Sequence, residues 1–196
     1  ATIREIHHRV KNNLQTVSAL LRLQSRRSSE EAVKVALAEA ERRVQAIATV
    51  HAALSQNVDE SVDFDEVART IVRMAGAIAS TDHSVEVITT GSFGTIQADQ
   101  AQALATVLNE LVANSVEHGL ADRDGLIEVR AEREGTSMTV TVADNGVGFV
   151  PGTPMSGLGT QIVHQMVRGE LKGSIEWAPR EGGGTLVTLH ANLDPA

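Results

Sequence analysis

Residues 1–57 contain neither glycine nor proline, although the 196-residue chain has 16 Gly and 4 Pro. A stretch of that length without either breaker is predicted to be helical. Its one interruption is RRSSEEA, where Ser28 stands three residues before Glu31; this capping-box spacing predicts that a second helix starts there. In the first helix Ile3, His7, Val10, Leu14, Val17, Leu21 and Gln24 follow alternating steps of four and three. Val33, Leu37, Ala40, Val44, Ile47, His51 and Leu54 do the same in the second. Both helices thus carry a coiled-coil seam, which Ile6 and Leu20 widen in the first. Two helices alone bury little surface, so the hairpin is expected to pair with a second copy as a four-helix bundle, making the protein a homodimer.

From Ser61 onward glycine appears and strand patterns alternate with helices, so a second domain is expected over 61–196, after a hairpin domain over 1–58. Asp63 and Glu66 are expected to cap a helix of about sixteen residues ending near Ala79. Val85 to Thr89 reads as a strand, and Asp99 is expected to cap a helix running to His118. Ile127, Val129 and Ala131 alternate with charged residues; Met138, Val140 and Val142 alternate with threonines. That pattern predicts two half-buried antiparallel strands joined by a turn at Glu134-Gly135. A helix over Leu158 to Arg168 and strands near Ser174 to Trp177 and Thr185 to Ala191 complete the order. The expected class is α+β: a helical hairpin, then an α/β sandwich with helices on one face of a mixed sheet.

Composition excludes several functions. With 17 Lys and Arg against 25 Asp and Glu, the net charge is −8, and 3 Phe, 1 Trp and no Tyr leave no platform for stacking bases. Nucleic-acid binding is therefore not expected. The absence of cysteine rules out disulfides, thiolate metal sites and a cysteine nucleophile, and fits a reducing compartment. No segment has the roughly 20 apolar residues of a membrane span. These features together predict a cytoplasmic protein without a membrane segment.

Four motifs carry chemistry. NELVANSVEH places Glu110, Asn114 and His118 at i, i+4 and i+8, beside the apolar stripe of Leu104, Leu108, Leu111 and Val112. An Asn amide oxygen suits magnesium, and a nearby carboxylate can orient a nucleophile. VADNGVGF follows a strand; Gly146 and Gly148 let a ligand approach the backbone, and Asp144 can accept from an exocyclic amine. MSGLGTQIV puts Gly157 and Gly159 at a helix N-terminus, where free N–H groups favour phosphate. EGGGTLVTL places Gly182 to Gly184 and Thr185 at the entry to a strand. Each glycine cluster alone reads as a turn; their order and spacing are far more specific.

These four motifs resemble, in order, the ATP-site boxes of the superfamily of gyrase, Hsp90, histidine kinases and MutL, whose nucleotide domain has the Bergerat (GHKL) fold. EIHHRVKNNLQ resembles the phosphoacceptor box of one sensor histidine kinase subclass. The resemblance spans Arg4 to Leu189 and implies autophosphorylation from Mg-ATP, then transfer to an aspartate of a response-regulator receiver domain. An RNA-binding antiterminator output is one association of this subclass. Carried over residue by residue, it implies that Glu110 polarises the nucleophile and Asn114 binds Mg2+. Asp144 would hold the adenine amino group, Gly146 and Gly148 would shape the adenine end, and Thr185 would line that pocket. Gly157, Leu158 and Gly159 would face the phosphates from the lid, and His118 closes the first box.

Two departures stand out. Only VPGTPMS separates Phe149 from Gly157, so the lid is short, and Arg9 follows His8 where the commonest subclass has an acidic residue. Between the adjacent histidines the seam decides. His7 lies in it, while His8, about 100° away around the helix, projects with Glu5, Lys11, Asn12 and Gln15. His8 is the expected acceptor, with Asn12, Gln15 and Ala19 marking the regulator footprint. Its tautomer would be fixed by Glu110, or alternatively by Glu5 at i−3. Ala1, a few residues before this box, implies a C-terminal fragment lacking its sensory domain. The competing expectations are a serine kinase or sequestering switch of the anti-sigma-factor kind, which needs no acceptor hairpin, and a non-catalytic dimeric hub.

Overall fold

The computed structural model describes residues 2–55, 60–79, 83–121, 123–148, 150–152 and 158–196. The chain divides into two compact units, 1–56 and 57–196. The first is a hairpin of α1 (Ile3–Arg27) and α2 (Glu31–Leu54). Thr2, which the sequence pattern did not single out, caps α1 by accepting from the Glu5 N–H at 3.2 Å. The expected capping box at Ser28 and Glu31 does not form: Ser28 closes α1 as its C-cap, and the N-cap of α2 is Glu30, without a side-chain cap. Ser28 Oγ instead accepts from the Glu30 N–H at 3.2 Å. The connection is so short that the serine satisfies the turn between the helices and cannot also cap the next one.

Each helix turns part of its apolar stripe toward its mate. His7, Val10, Leu14 and Leu21 are half-buried and Ser18 is buried, while Ile6, Val17 and Leu20 remain exposed. Arg22 donates to Glu41 Oε1 through Nε at 3.0 Å and Nη2 at 2.7 Å, joining α1 to α2. Val33, Val35 and Ile47 of α2 are also exposed.

The second unit runs β1 (Ser61–Asp63), α3 (Phe64–Ala79), β2 (Val85–Gly91), β3 (Thr95–Gln97), α4 (Ala98–Asn114), a π-turn (Ser115–Gly119), β4 (Gly125–Glu134), β5 (Ser137–Asp144), α5 (Leu158–Gly169), β6 (Ser174–Pro179) and β7 (Thr185–Asn192). Five strands form a mixed sheet in the order β2-β4-β5-β7-β6, parallel between β2 and β4 and antiparallel elsewhere. The three-residue strands β1 and β3 form a separate antiparallel pair, too short to show in sequence periodicity. Register aligns Val129 with Val142 and Val142 with Val187, and Ala131 with Val140 and Val140 with Leu189, which builds one apolar face across the sheet. That face and α3, α4 and α5 supply the core, in which Ile71, Leu104, Leu108, Ile127, Val163, Val167 and Leu189 are fully buried.

Helix entries differ in detail from the sequence expectation. Asp63 Oδ1 lies 3.4 Å from the Asp65 N–H, long for a cap. Asp65 itself holds the loop before β3, accepting from the Phe93 N–H at 2.6 Å and Ser92 Oγ at 3.0 Å. The N-cap of α4 is Gln97, and Asp99 sits in the first turn, where its charge still favours the helix N-terminus. Buried Gln100 then anchors the chain end, donating to the Glu170 carbonyl at 2.9 Å and accepting from the Asp194 N–H at 2.7 Å. The β4–β5 turn lies just after Glu134, with Gly135 at φ +62°.

Candidate functional site

Strand periodicity explains where Asp144 lies. On β5 the residues Met138, Val140, Val142 and Asp144 all fall on the buried face, so the last of them carries a carboxylate into the edge of the core. Asp144 is only 2% exposed. Its Oδ1 accepts from the Gly146 N–H at 2.9 Å and from the Thr185 N–H at 3.3 Å, joining the ends of β5 and β7. Oδ2 faces Gly119, where an added Cβ would lie 2.2 Å away. Burial pushes the Asp144 carboxyl above its usual range, against the opposing pull of the Gly146 and Thr185 N–H groups and the charge of Arg180.

The cradle around this carboxylate is built from missing side chains. A Cβ at Gly146 would lie 1.8 Å from the Gly119 carbonyl oxygen, and one at Gly184 would lie 1.8 Å from the Asp144 carbonyl oxygen. The Gly119 carbonyl accepts from the Val147 N–H at 2.8 Å, locking the segment after β5 against the end of the π-turn. Gly184 has φ +102° and Gly148 φ +94°, a region where an L side chain is strained. Asn145 fixes the neighbouring strand, its Oδ1 accepting from the Leu126 N–H at 2.8 Å.

The helix carrying Glu110, Asn114 and His118 is not uniform. The sequence pattern implied one α-helix to His118; α4 ends at Asn114, and Ser115–Gly119 is a π-turn closed by the Leu120 N–H on the Ser115 carbonyl at 2.7 Å. The wider turn shifts His118 off the expected stripe. Glu110 is 5% exposed, Asn114 is half-buried and His118 is exposed. Gly119, the last residue of the π-turn, stands against the Asp144 carboxylate.

Of the remaining expected residues, Gly159 is buried in the first turn of α5, and Thr185 is half-buried at the start of β7. Leu158 begins α5. Gly157 and Phe149 lie outside the described residues. Gly119 and Asn145 were not singled out as site residues by the sequence, and Gly184 was named in the glycine run before Thr185 without a role of its own. The signal was present in the glycine directly after NELVANSVEH, but a glycine there reads as a helix stop.

In the hairpin, the adjacent histidines have different surroundings. His8 is exposed. His7 is half-buried and its Nδ1 lies 3.2 Å from His51 Nε2 of α2, with ring centroids 5.0 Å apart and planes inclined by 58°. Burial, and then the charge of His7, hold the His51 imidazole below its ordinary range. Glu5 is engaged by Arg9, whose Nη2 donates to Oε1 at 3.0 Å.

Two family models match the chain. The family described as histidine kinase matches residues 5–78, and the one described as histidine kinase-, DNA gyrase B-, and HSP90-like ATPase matches 99–195. The chain belongs to the sensor histidine kinases. It is 46% identical over 198 residues to the sensor histidine kinase PdtaS of Mycolicibacterium smegmatis, covering 98% of this chain and 40% of that one. The Mycobacterium tuberculosis PdtaS is likewise 46% identical, over 194 residues, covering 96% and 39%. This chain thus spans about two fifths of the length of these curated relatives. In fold it resembles the histidine kinase domain of a blue-light activated histidine kinase from Erythrobacter litoralis, with a TM-score of 0.66, 22% identity, and 97% and 90% of the two chains covered. No helix among the described residues is long and apolar enough to cross a membrane.

Proposed function

We propose that this chain is the cytoplasmic kinase core of a two-component sensor histidine kinase, which phosphorylates His8 from Mg-ATP and passes the phosphoryl group to an aspartate of a response-regulator receiver domain. Residues 61–196 bind the nucleotide; residues 1–58 dimerise and carry the acceptor. The observation that carries this reading is the Asp144 carboxylate, buried in a cradle of Gly119, Gly146 and Gly184 with Oδ1 already satisfied. A buried carboxylate whose second oxygen has no hydrogen-bond partner among the described residues fits an exocyclic amine such as that of adenine. Thr185, Gly146 and Gly148 shape that end; Gly157, Leu158 and Gly159 serve the phosphates.

The metal requirement fits the side chains present. Among the described residues no group of three or more His, Asp or Glu is placed to hold an ion. Mg2+ typically takes one or two protein ligands and completes its shell with phosphates and water. Asn114, at the end of α4, would supply the amide oxygen. The bound ion would neutralise charge developing on the phosphates. Glu110 polarises the nucleophile, with Glu5, which pairs with Arg9, as the alternative carboxylate. A nitrogen of His8 forms the new bond to the γ-phosphorus while the bond to the ADP oxygen breaks, and the imidazole proton leaves to the carboxylate.

Dimerisation is supported by the exposed apolar residues Ile6, Val17 and Leu20 of α1 and Ile47 of α2, which a second hairpin would cover. The regulator would dock on the face bearing His8, Asn12, Gln15 and Ala19, all exposed.

The test is incubation of the purified chain with γ-labelled ATP and Mg2+, with His8→Gln, His7→Gln, Glu110→Gln and Glu5→Gln alongside. Acid-labile, alkali-stable label that disappears in His8→Gln and falls in Glu110→Gln is expected. Acid-stable label points instead to a serine kinase switch, and nucleotide binding without label to a hub. Normal labelling of Glu110→Gln with loss in Glu5→Gln reverses the two carboxylates.

A further inference from the structure

We infer that His51 is a positioning residue for the phosphorylation of His8, acting through its hydrogen bond to His7. The inference rests on His8 being the acceptor. His7 Nδ1 and His51 Nε2 are 3.2 Å apart, within reach of one N–H and one lone pair, and the rings are half-buried between α1 and α2. His7 and His8 are consecutive on a continuous helix, so a contact that fixes the azimuth of His7 fixes that of His8, about 100° away.

Among the described residues little else near the acceptor provides such a hold. Val10 and Leu14 of α1 are only half-buried, and the Glu5–Arg9 pair lies on the exposed surface of the same helix. The Ser18 and Arg22 contacts to Glu41 begin ten residues beyond His8, about 15 Å along the axis. Apolar seam contacts set the distance between two helices but tolerate small rotations; a directional hydrogen bond does not. The effect of His51 reaches the acceptor by holding the residue before it, His7.

His51→Phe keeps a ring of similar bulk and removes the hydrogen bond, whereas His51→Gln places an amide near the position of Nε2 and restores it. Labelling from γ-labelled ATP is expected to slow about tenfold in His51→Phe with the KM for ATP unchanged, the scale of one lost hydrogen bond, and to return to within about twofold of wild type in His51→Gln. Amide hydrogen exchange over residues 5–11, measured on the same proteins, is expected to accelerate in His51→Phe and recover in His51→Gln. Wild-type labelling and exchange in His51→Phe, or equal defects in both variants, overturns the inference. If the wild-type chain takes up no label, the kinase reading fails by itself, and unchanged exchange in His51→Phe then removes the positioning role as well.

Discussion

In the sheet unit Leu104, Leu108, Ile127 and Leu189 are buried to 1% exposure or less, whereas in the hairpin Ile6, Leu20 and Ile47 keep 49%, 56% and 57% of their surface exposed. Three helices laid on one face of a five-stranded sheet enclose that face without help. Two helices side by side have only one line of contact, and the other half of each apolar stripe stays open. The chemistry divides the same way. Asp144 is enclosed in a glycine cradle, whereas His8 is exposed, as the proposed acceptor role requires.

The largest expected effect contrasts two leucines. Leu108→Ala is expected to lower the stability of the sheet unit by about 2–5 kcal/mol at any protein concentration. Leu20→Ala, on an exposed site, would cost under about 0.5 kcal/mol in an isolated hairpin but several times that in a dimer. Thermal melts over a hundredfold range of concentration separate the two cases, and a concentration-independent melt for both proteins breaks the contrast drawn here.

Next comes Asp144→Asn, expected to weaken ATP binding about ten- to a hundredfold by calorimetry, the scale of a lost hydrogen bond to a charged group. The same substitution is expected to leave Tm at pH 7 unchanged or higher. A carboxyl held above its unfolded value takes up a proton on folding, so its contribution to stability is present below the unfolded pKa and lost as pH rises through the folded one. Asp144→Asn removes that loss. It should therefore flatten the decline of stability with rising pH over that window, and a Tm difference independent of pH would show that burial of charge is not what Asp144 costs.

Gly146→Ala should destabilise the sheet unit by about 1–3 kcal/mol, because the added methyl meets the Gly119 carbonyl and the backbone must move. Gly135→Ala is the control, since no atom lies within 4 Å of its added Cβ; the residual cost is that of a positive φ alone. The smallest effect belongs to Arg22→Ala, whose partly exposed pair with Glu41 is worth under about 1 kcal/mol and weakens with salt.

Much of this organisation was legible in the residues. Periodicity located both hairpin helices and the five strands of the main sheet, because alternation and the three-to-four step are direct consequences of which face is buried. The strands β1 and β3 escaped, being three residues each. Ser28 and Glu31 have the spacing of a capping box, yet the same serine also suits a tight interhelical turn, and the turn prevailed. His118 was placed on the stripe of Glu110 and Asn114 by a period that the π-turn interrupts after Asn114.

By itself the sequence determined the division into a breaker-free hairpin and a glycine-punctuated sheet unit, the alternation that makes Asp144 face inward, and the seam that separates His7 from His8. All of these depend on local geometry, which repeats every two or 3.6 residues and can be counted along the chain. Only the tertiary structure decided that Gly119 rather than a neighbouring side chain stands against Asp144 Oδ2, that Thr185 shares Oδ1 with Gly146, and that His7 finds His51 across the hairpin. Those pairs join residues 25, 41 and 44 positions apart or meet where a helix changes its pitch. No local period encodes such meetings; they follow from how the packed elements bring their ends together.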